Sequence, residues 1–381
     1  MDYQQENNVW VIGHKNPDTD SICAAICYSN LKNRLQDGFH YIPKRAGSIN
    51  EETKYVLQHF GVESPEYAED AGAQVKDIAF RRTAGVSGHI SLKKAWELMK
   101  TENVMTLAVT SASDKLEGLI ITGDIAESYM DVYDNHILSR ARTQYKNIVE
   151  TLNGTLLAGN EHAYFLRGKV VVATGSRDVI EECIESDDLV IVGDRDETHI
   201  CALEENASCM VVTGGTQVSA QVLEMANRRD CVVIITPYDT FTAARLINQS
   251  MPIKYFMKKE NFVTFDIDDY VDEVREVMSK KRHRDFPVLD DQRRYLGMVS
   301  RRNLLNMHKK KLILVDHNEK SQAIDGIEGA EILEIIDHHR LGSLETMSPV
   351  FFRNQPLGCT STIVYQMYCA VSYTHLTLPT I

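Results

Sequence analysis

Three short apolar runs in this chain each end in a cluster of His and Asp. Val9-Trp10-Val11-Ile12 leads into Gly13-His14-Lys15-Asn16-Pro17-Asp18-Thr19-Asp20-Ser21. Leu312-Ile313-Leu314-Val315 leads into Asp316-His317-Asn318-Glu319, and Ile332-Leu333-Glu334-Ile335-Ile336 into Asp337-His338-His339-Arg340. Short apolar runs of this kind suit strands covered on both faces, as in a parallel sheet. Sites in such sheets form outside the carboxyl ends of the strands, so the three loops can converge despite their separation in sequence. Pro17 removes a backbone donor, which places the first cluster on a loop. Imidazole and carboxylate together suit a borderline divalent metal such as Mn²⁺, Co²⁺, Fe²⁺ or Zn²⁺. Asp and Asn before a helix are also common N-caps. One such strand end is unremarkable; three make capping a poor explanation.

The chain between these loops starts as an α/β protein. Residues 21–35 read as a helix with Ile22, Ala25, Ile26 and Leu31 at helical spacing. Tyr41-Ile42-Pro43 reads as a second strand, and residues 51–60 as a second helix ended by Gly61. Strand, loop, helix and strand in this order open a parallel sheet. The eight cysteines include no Cys-x-x-Cys pair, and Cys23 and Cys27 read as small buried residues on one helix. A reduced, cytoplasmic compartment follows. The formal charge of −13 argues against a nucleic-acid groove. It leaves room for a small anionic substrate, because bound metal ions invert the sign of a site. No apolar run approaches the roughly 20 residues of a membrane span.

Residues 73–132 and 251–309 are two copies of one unit: short strand, amphipathic helix, two strands, second helix. The helix is Leu92-Lys93-Lys94-Ala95-Trp96-Glu97-Leu98-Met99 in one copy and Val271-Asp272-Glu273-Val274-Arg275-Glu276-Val277-Met278 in the other. Gly118-Leu119-Ile120-Ile121 and Gly297-Met298-Val299 follow in corresponding places. The pair resembles CBS domains, modules that join face to face and bind adenine nucleotides. That resemblance assigns ribose and phosphate contacts to Ser300 and Asn303 in the second copy. In the first, ungapped alignment brings Ile121 and Asp124 to those places, with Thr122 displaced by one; Thr122 and Asp124 are its candidates. Two repeats that only mediate contacts are the alternative. Between them, apolar runs ending in Gly175 and Gly193, and Met210-Val211-Val212-Thr213-Gly214-Gly215, form a layout similar to the DRTGG domain. Val211 and Val212 replace the Asp and Arg of that motif, no Walker Lys is present, and a structural turn is expected.

The motifs Gly-His-x-Asn-Pro-Asp-Thr-Asp-Ser, Val-Asp-His-Asn-Glu and Asp-His-His, in this order, resemble the family II inorganic pyrophosphatases of the DHH phosphoesterases. The insertion resembles the subfamily regulated through CBS and DRTGG domains. The resemblance implies a parallel-sheet α/β catalytic domain in two parts, residues 1–68 and 310–369. CBS repeats at 69–132 and 251–309 and a DRTGG-like domain at 133–250 would interrupt it. It further implies His14 and Asp18 on one ion of Mn²⁺ or Co²⁺, Asp20 and His338 on a second, and Asp316 as bridge. His339 would face the substrate phosphate, and Mg²⁺ would accompany pyrophosphate. AMP, ADP or ATP would regulate, and a homodimer would form through the CBS and DRTGG region. The chemistry suits this ligand set: two ions about 3.5–4 Å apart can share and activate a water and neutralise an anionic substrate.

The family also uses a further Asp beyond the third motif and a cationic lobe, which this sequence does not show. Residues 370–381 lack helical period and read as a non-native tail, so little hydrolysis is expected of the chain as written. Two other readings remain at this point. One is a DHH phosphodiesterase acting on short oligonucleotides or nucleotide phosphates; the other is a non-catalytic adenine-nucleotide sensor.

Overall fold

The computed structural model describes residues 7–130, 134–175, 177–305 and 309–376. The chain forms two compact units. One comprises Met1–Phe80, Phe265–Arg284 and Val299–Ile381; the other comprises Arg81–Thr264 and Asp285–Met298.

The first unit is built on a six-stranded sheet. Its strands are β1 (Asn8–Ile12), β2 (His40–Arg45), β3 (Glu66–Tyr67), β4 (Lys311–Val315), β5 (Glu331–Asp337) and β6 (Phe351–Asn354). The spatial order is β6-β5-β4-β1-β2-β3, and every pair is parallel. From β1 the chain steps outward through β2 and β3, then re-enters on the other side of β1 as β4. The sheet therefore reverses its strand order between β1 and β4, which is where open parallel sheets leave a crevice.

Alternation along the strands feeds two cores. Val9, Val11, Ile313, Val315 and Ile336 pack on one face with Ala24, Ala25, Tyr28 and Leu31 of helix α1 (Thr19–Leu35) and with Ile363 and Val364 of a C-terminal helix. Ile12, Leu312, Leu314 and Ile335 pack on the other face with Ala68, Ala71, Ala323, Ile324 and Ile327. A helix α2 (Glu51–His59), capped by Asn50, lies between β2 and β3 in the chain. Strand β2 runs through Pro43 to Arg45; β3 pairs with it only at Lys44 and Arg45, so Pro43 precedes the stretch where its outer edge is partnered.

Two readings of the sequence are corrected here. Cys27 is exposed and Cys23 half-buried, because the inward face of α1 is filled by Ser21, Ile22, Ala24, Ala25, Tyr28, Ser29 and Leu31. The C-terminal helix, α3, covers Thr360–Leu376, so the helix does continue past residue 370. Residues 377–381 of the expected tail lie outside the described residues.

The second unit contains a five-stranded sheet in the order Thr155–Ala158, Val232–Ile235, Cys209–Val212, Leu189–Val192, Val170–Val172. Its last four strands are mutually parallel and the first is antiparallel. Beside it, helix Leu92–Thr101, the antiparallel pair Thr106–Thr110 and Leu116–Ile121, and helix Thr122–Met130 form the first repeat. The second repeat is divided between the units: strand Asp285–Leu289 and most of Tyr295–Ser300 belong to this one, and helix Val271–Lys280 and the short 3₁₀ turn at Asn303–Leu305 to the first. The fold class is therefore the expected one, α/β on a parallel sheet with an inserted module. Among the described residues no helix is long and apolar enough to cross a membrane.

Leu314 is fully buried at the centre of the six-stranded sheet. Leu314→Ala is expected to cost about 2–5 kcal/mol, through lost transfer energy and the cavity it leaves. Urea unfolding followed by circular dichroism measures this; a loss well under 1 kcal/mol would contradict the packing described.

Candidate metal centre

The three motif loops emerge from the carboxyl ends of β1, β4 and β5, which are neighbours in the sheet. Gly13 follows β1 directly, and a Cβ there would lie 1.8 Å from Ser21 Oγ. Only glycine lets the end of the strand pass this close to the first turn of α1. Asp18 is the N-cap of α1, its Oδ1 accepting from the Ser21 N–H at 2.9 Å. Capping and proximity to His14 coexist: His14 Nε2 lies 3.9 Å from Asp18 Oδ1.

Asp316 is the centre of the cluster. Its side chain is 1 % exposed. Oδ1 lies 3.4 Å from His338 Nε2, and Oδ2 lies 3.4 Å from His14 Nε2. The Thr360 hydroxyl donates to Oδ1 at 2.9 Å, whereas Oδ2 accepts no hydrogen bond from any described residue. A buried carboxylate oxygen without a donor is costly unless something else satisfies it. Two sets of ligand-type atoms lie within 4.8 Å of one another: Asp316, His338 and His339 in one, and His14, Asp18 and Asp316 in the other. Asp316 belongs to both.

Each imidazole is oriented by a bond at its other nitrogen. His338 Nδ1–H donates to the Leu357 carbonyl at 3.0 Å, leaving Nε2 as an acceptor facing Asp316. His339 Nδ1–H donates to Asp337 Oδ1 at 2.8 Å. Such partners fix the tautomer and the aim of a ligand histidine. The Asp316 carboxyl is held above the usual carboxylate range, chiefly by burial, against the opposing pull of His14. His14 is pushed up from its ordinary value, first by its contact with Asp316, against a burial effect that works the other way.

Asp20 lies 3.9 Å from His338 Nε2 and falls outside both compact sets. Its carboxylate accepts from the Thr360 and Ser361 backbone N–H groups at 2.6 and 2.8 Å and from the Ser361 hydroxyl at 2.5 Å. An anion at the start of α3 is favoured by the unpaired amides there. Thr360, Ser361 and Asp337 are thus supporting residues to which sequence reading assigned no role. The run Gly358-Cys359-Thr360-Ser361 opening a helix was the available signal.

The nucleotide candidates separate into two similar turns. Asp124 Oδ2 accepts from the Ile121 N–H at 2.8 Å, and Asn303 Oδ1 accepts from the Ser300 N–H at 2.8 Å. Ile121 therefore corresponds to Ser300, and Thr122 stands one residue beyond it. Asp124 is buried and its other oxygen lies 3.2 Å from Lys258 Nζ. Asn303 also accepts the Ser300 hydroxyl at 2.7 Å. In the five-stranded sheet, the Gly214 and Gly215 amides bond the Tyr238 and Thr236 carbonyls. Those amides are spent on a turn, as expected.

Residues 147–250 match the DRTGG domain family and residues 253–309 the CBS domain family. The cobalt-dependent inorganic pyrophosphatase of Clostridium perfringens is 42% identical over 360 residues, 94% of this chain and 65% of that protein. A probable manganese-dependent inorganic pyrophosphatase of Thermotoga maritima is 38% identical over the same shares of each chain. The chain thus spans 65% of the length of these curated relatives. Among solved structures, the CBS and DRTGG domains of the regulatory region of the Clostridium perfringens pyrophosphatase, complexed with the activator diadenosine tetraphosphate, are similar at 36% identity and a TM-score of 0.58. That likeness covers 60% of this chain and 100% of the other. A parallel sheet carrying the three motifs, interrupted by regions matching both regulatory families, makes this chain similar over 94% of its length to cobalt- and manganese-dependent inorganic pyrophosphatases.

Proposed function

We propose that the protein containing this chain hydrolyses inorganic pyrophosphate to two phosphates, using two divalent cations, Mn²⁺ or Co²⁺. The observation that carries the reading is Asp316, whose two oxygens each lie 3.4 Å from a different histidine. The donor set fits such cations, because Oδ2 of this buried carboxylate is left without a hydrogen bond by the described residues. His14 and Asp18 would hold one ion, Asp20 and His338 the other, and Asp316 would be shared. Ions held there supply activated water and neutralise a highly anionic substrate.

The chain's own residues set the stage for that chemistry. Thr360 anchors one oxygen of Asp316, and the first turn of α3 anchors Asp20. His339, half exposed and held by Asp337, can present Nε2 to a substrate phosphate. Mg²⁺ would enter with the substrate. In the insertion, Thr122, Asp124, Ser300 and Asn303 are the candidate contacts for AMP, ADP or ATP. The bound activator in the similar Clostridium perfringens region supports nucleotide control. Regulation requires the nucleotide to bind two states with different affinity. A homodimer through the CBS and DRTGG region and a cytoplasmic location complete the reading; the eight free cysteines agree with a reducing compartment.

The reading is tested by pyrophosphate hydrolysis with Mn²⁺ or Co²⁺ in the full gene product, with and without adenine nucleotides. Cleavage of dinucleotides in preference to pyrophosphate would favour the phosphodiesterase alternative. Asp316→Asn is expected to lower turnover more than about 100-fold, beyond the cost of losing a supporting partner, and to lower metal content. Normal turnover and metal content in that variant would sink the assignment.

The pH dependence follows from His14. Its folded-state value is raised, so without metal its proton stabilises the fold below about pH 6.5 and that contribution fades as pH rises through the folded value. A metal must displace this proton. Mn²⁺ affinity is therefore expected to strengthen about tenfold or more from pH 6 to pH 8, with proton release, in calorimetric titrations. A pH-independent affinity would speak against His14 as a ligand.

A further inference from the structure

Asp316 leaves β4 with φ at +64°, in the left-handed region that L side chains rarely adopt. Its N–H nevertheless stays in the sheet, donating to the Ile336 carbonyl at 2.9 Å. The backbone therefore turns sharply at the very residue whose carboxylate must point between His14 and His338. The residue after it, His317, is 0 % exposed. Its Nδ1–H donates to the Val315 carbonyl at 2.9 Å, closing a ring from the residue after Asp316 to the residue before it. The carbonyl is a pure acceptor, so Nδ1 carries the proton and Nε2 is a lone pair. Nε2 meets no hydrogen-bond donor among the described residues. The imidazole stands edge-on to the His14 ring, centroids 6.4 Å apart. His317 is absent from both sets of ligand atoms gathered within 4.8 Å.

We propose that His317 is a positioning residue for the metal centre: its Nδ1–H bond to Val315 clamps Asp316 in the left-handed turn, while its edge sets the plane of His14. It is not itself a ligand. The working atom is Nδ1, and what it controls is where the two oxygens of Asp316 point. This rests on the metal reading of the site above.

Two amide substitutions separate the two nitrogens. In His317→Asn the amide nitrogen falls near the place of Nδ1 and can still donate to Val315. In His317→Gln it falls near the place of Nε2 and the clamp is lost. Both variants bury an amide of similar polarity, so a role confined to packing would affect them alike. The experiment titrates Co²⁺ into the 381-residue chain, reading affinity by calorimetry and ligand geometry by the visible d–d absorption; circular dichroism confirms the fold. The unsubstituted chain is expected to bind Co²⁺ with a defined spectrum. His317→Asn should stay within about threefold of that affinity with the same band. His317→Gln should weaken it by about 10–100-fold with a shifted band, the range for loss of a residue that orients a ligand. Equal behaviour of the two variants would overturn the clamp, and the reverse ranking would make Nε2 the working atom and His317 a ligand. Absence of Co²⁺ binding by the unsubstituted chain would instead overturn the metal reading, and the clamp with it.

Discussion

A carboxylate buried between two imidazoles is the constraint around which the first unit is arranged. Asp316 can be buried only if its charge is answered, and each surrounding element contributes to the answer. β1 delivers His14, β5 delivers His338, and the start of α3 supplies the Thr360 hydroxyl. The reversal of strand order between β1 and β4 makes this possible, since it opens a crevice into which adjacent loops can turn. Without a cation, His14 and Asp316 share the burden and both hold protons more tightly than usual. A cation would replace that proton with a larger charge and so invert the local sign of an otherwise acidic site.

The metal loop is also tied to the ends of the insertion. The Lys15 amide donates to the Gln322 carbonyl at 2.8 Å, and its ammonium lies 2.5 Å from Asp325 Oδ1. The Asp325 carbonyl accepts from the Ala71 N–H at 2.7 Å. Lys310, where the chain returns to the sheet, donates to the Gly72 carbonyl at 2.8 Å. The two crossings between sheet and insertion are thus joined to the residue beside His14 by hydrogen bonds, not by free linker. Two of these are backbone bonds, which side-chain replacement leaves in place.

The strands and their chemical ends were legible in the sequence because continuous apolar runs and punctuating His and Asp are local signals. Asp18, Asp316 and His338 could be singled out on that basis. The supporting contacts could not. Thr360 and Ser361 reach Asp20 across the whole chain, and hydrophobic period carries no information about a hydroxyl bonded to a distant carboxylate. The left-handed turn at Asp316 was equally hidden, since an Asp tolerates a positive φ without requiring one. The exposure of Cys27 and the extent of α3 went astray for a related reason. Period describes which face is apolar, whereas small polar residues such as Ser21 and Ser29 can fill an inward face.

The repeats show how one backbone device can carry unequal chemistry. Asp124 and Asn303 each bond back to the strand end before them in the same way, so the turn itself is common to both copies. The side chains differ in what they would offer an anionic nucleotide. The second copy presents a neutral hydroxyl and a neutral amide, Ser300 and Asn303. The first presents Ile121, which has no hydroxyl, and a carboxylate whose charge is met by Lys258. A phosphate near Asp124 would compete with that carboxylate for the lysine, whereas no such competition arises at Asn303. The two turns therefore differ in what they would offer a phosphate, although their backbones are alike, and any nucleotide response read through them would begin from that asymmetry.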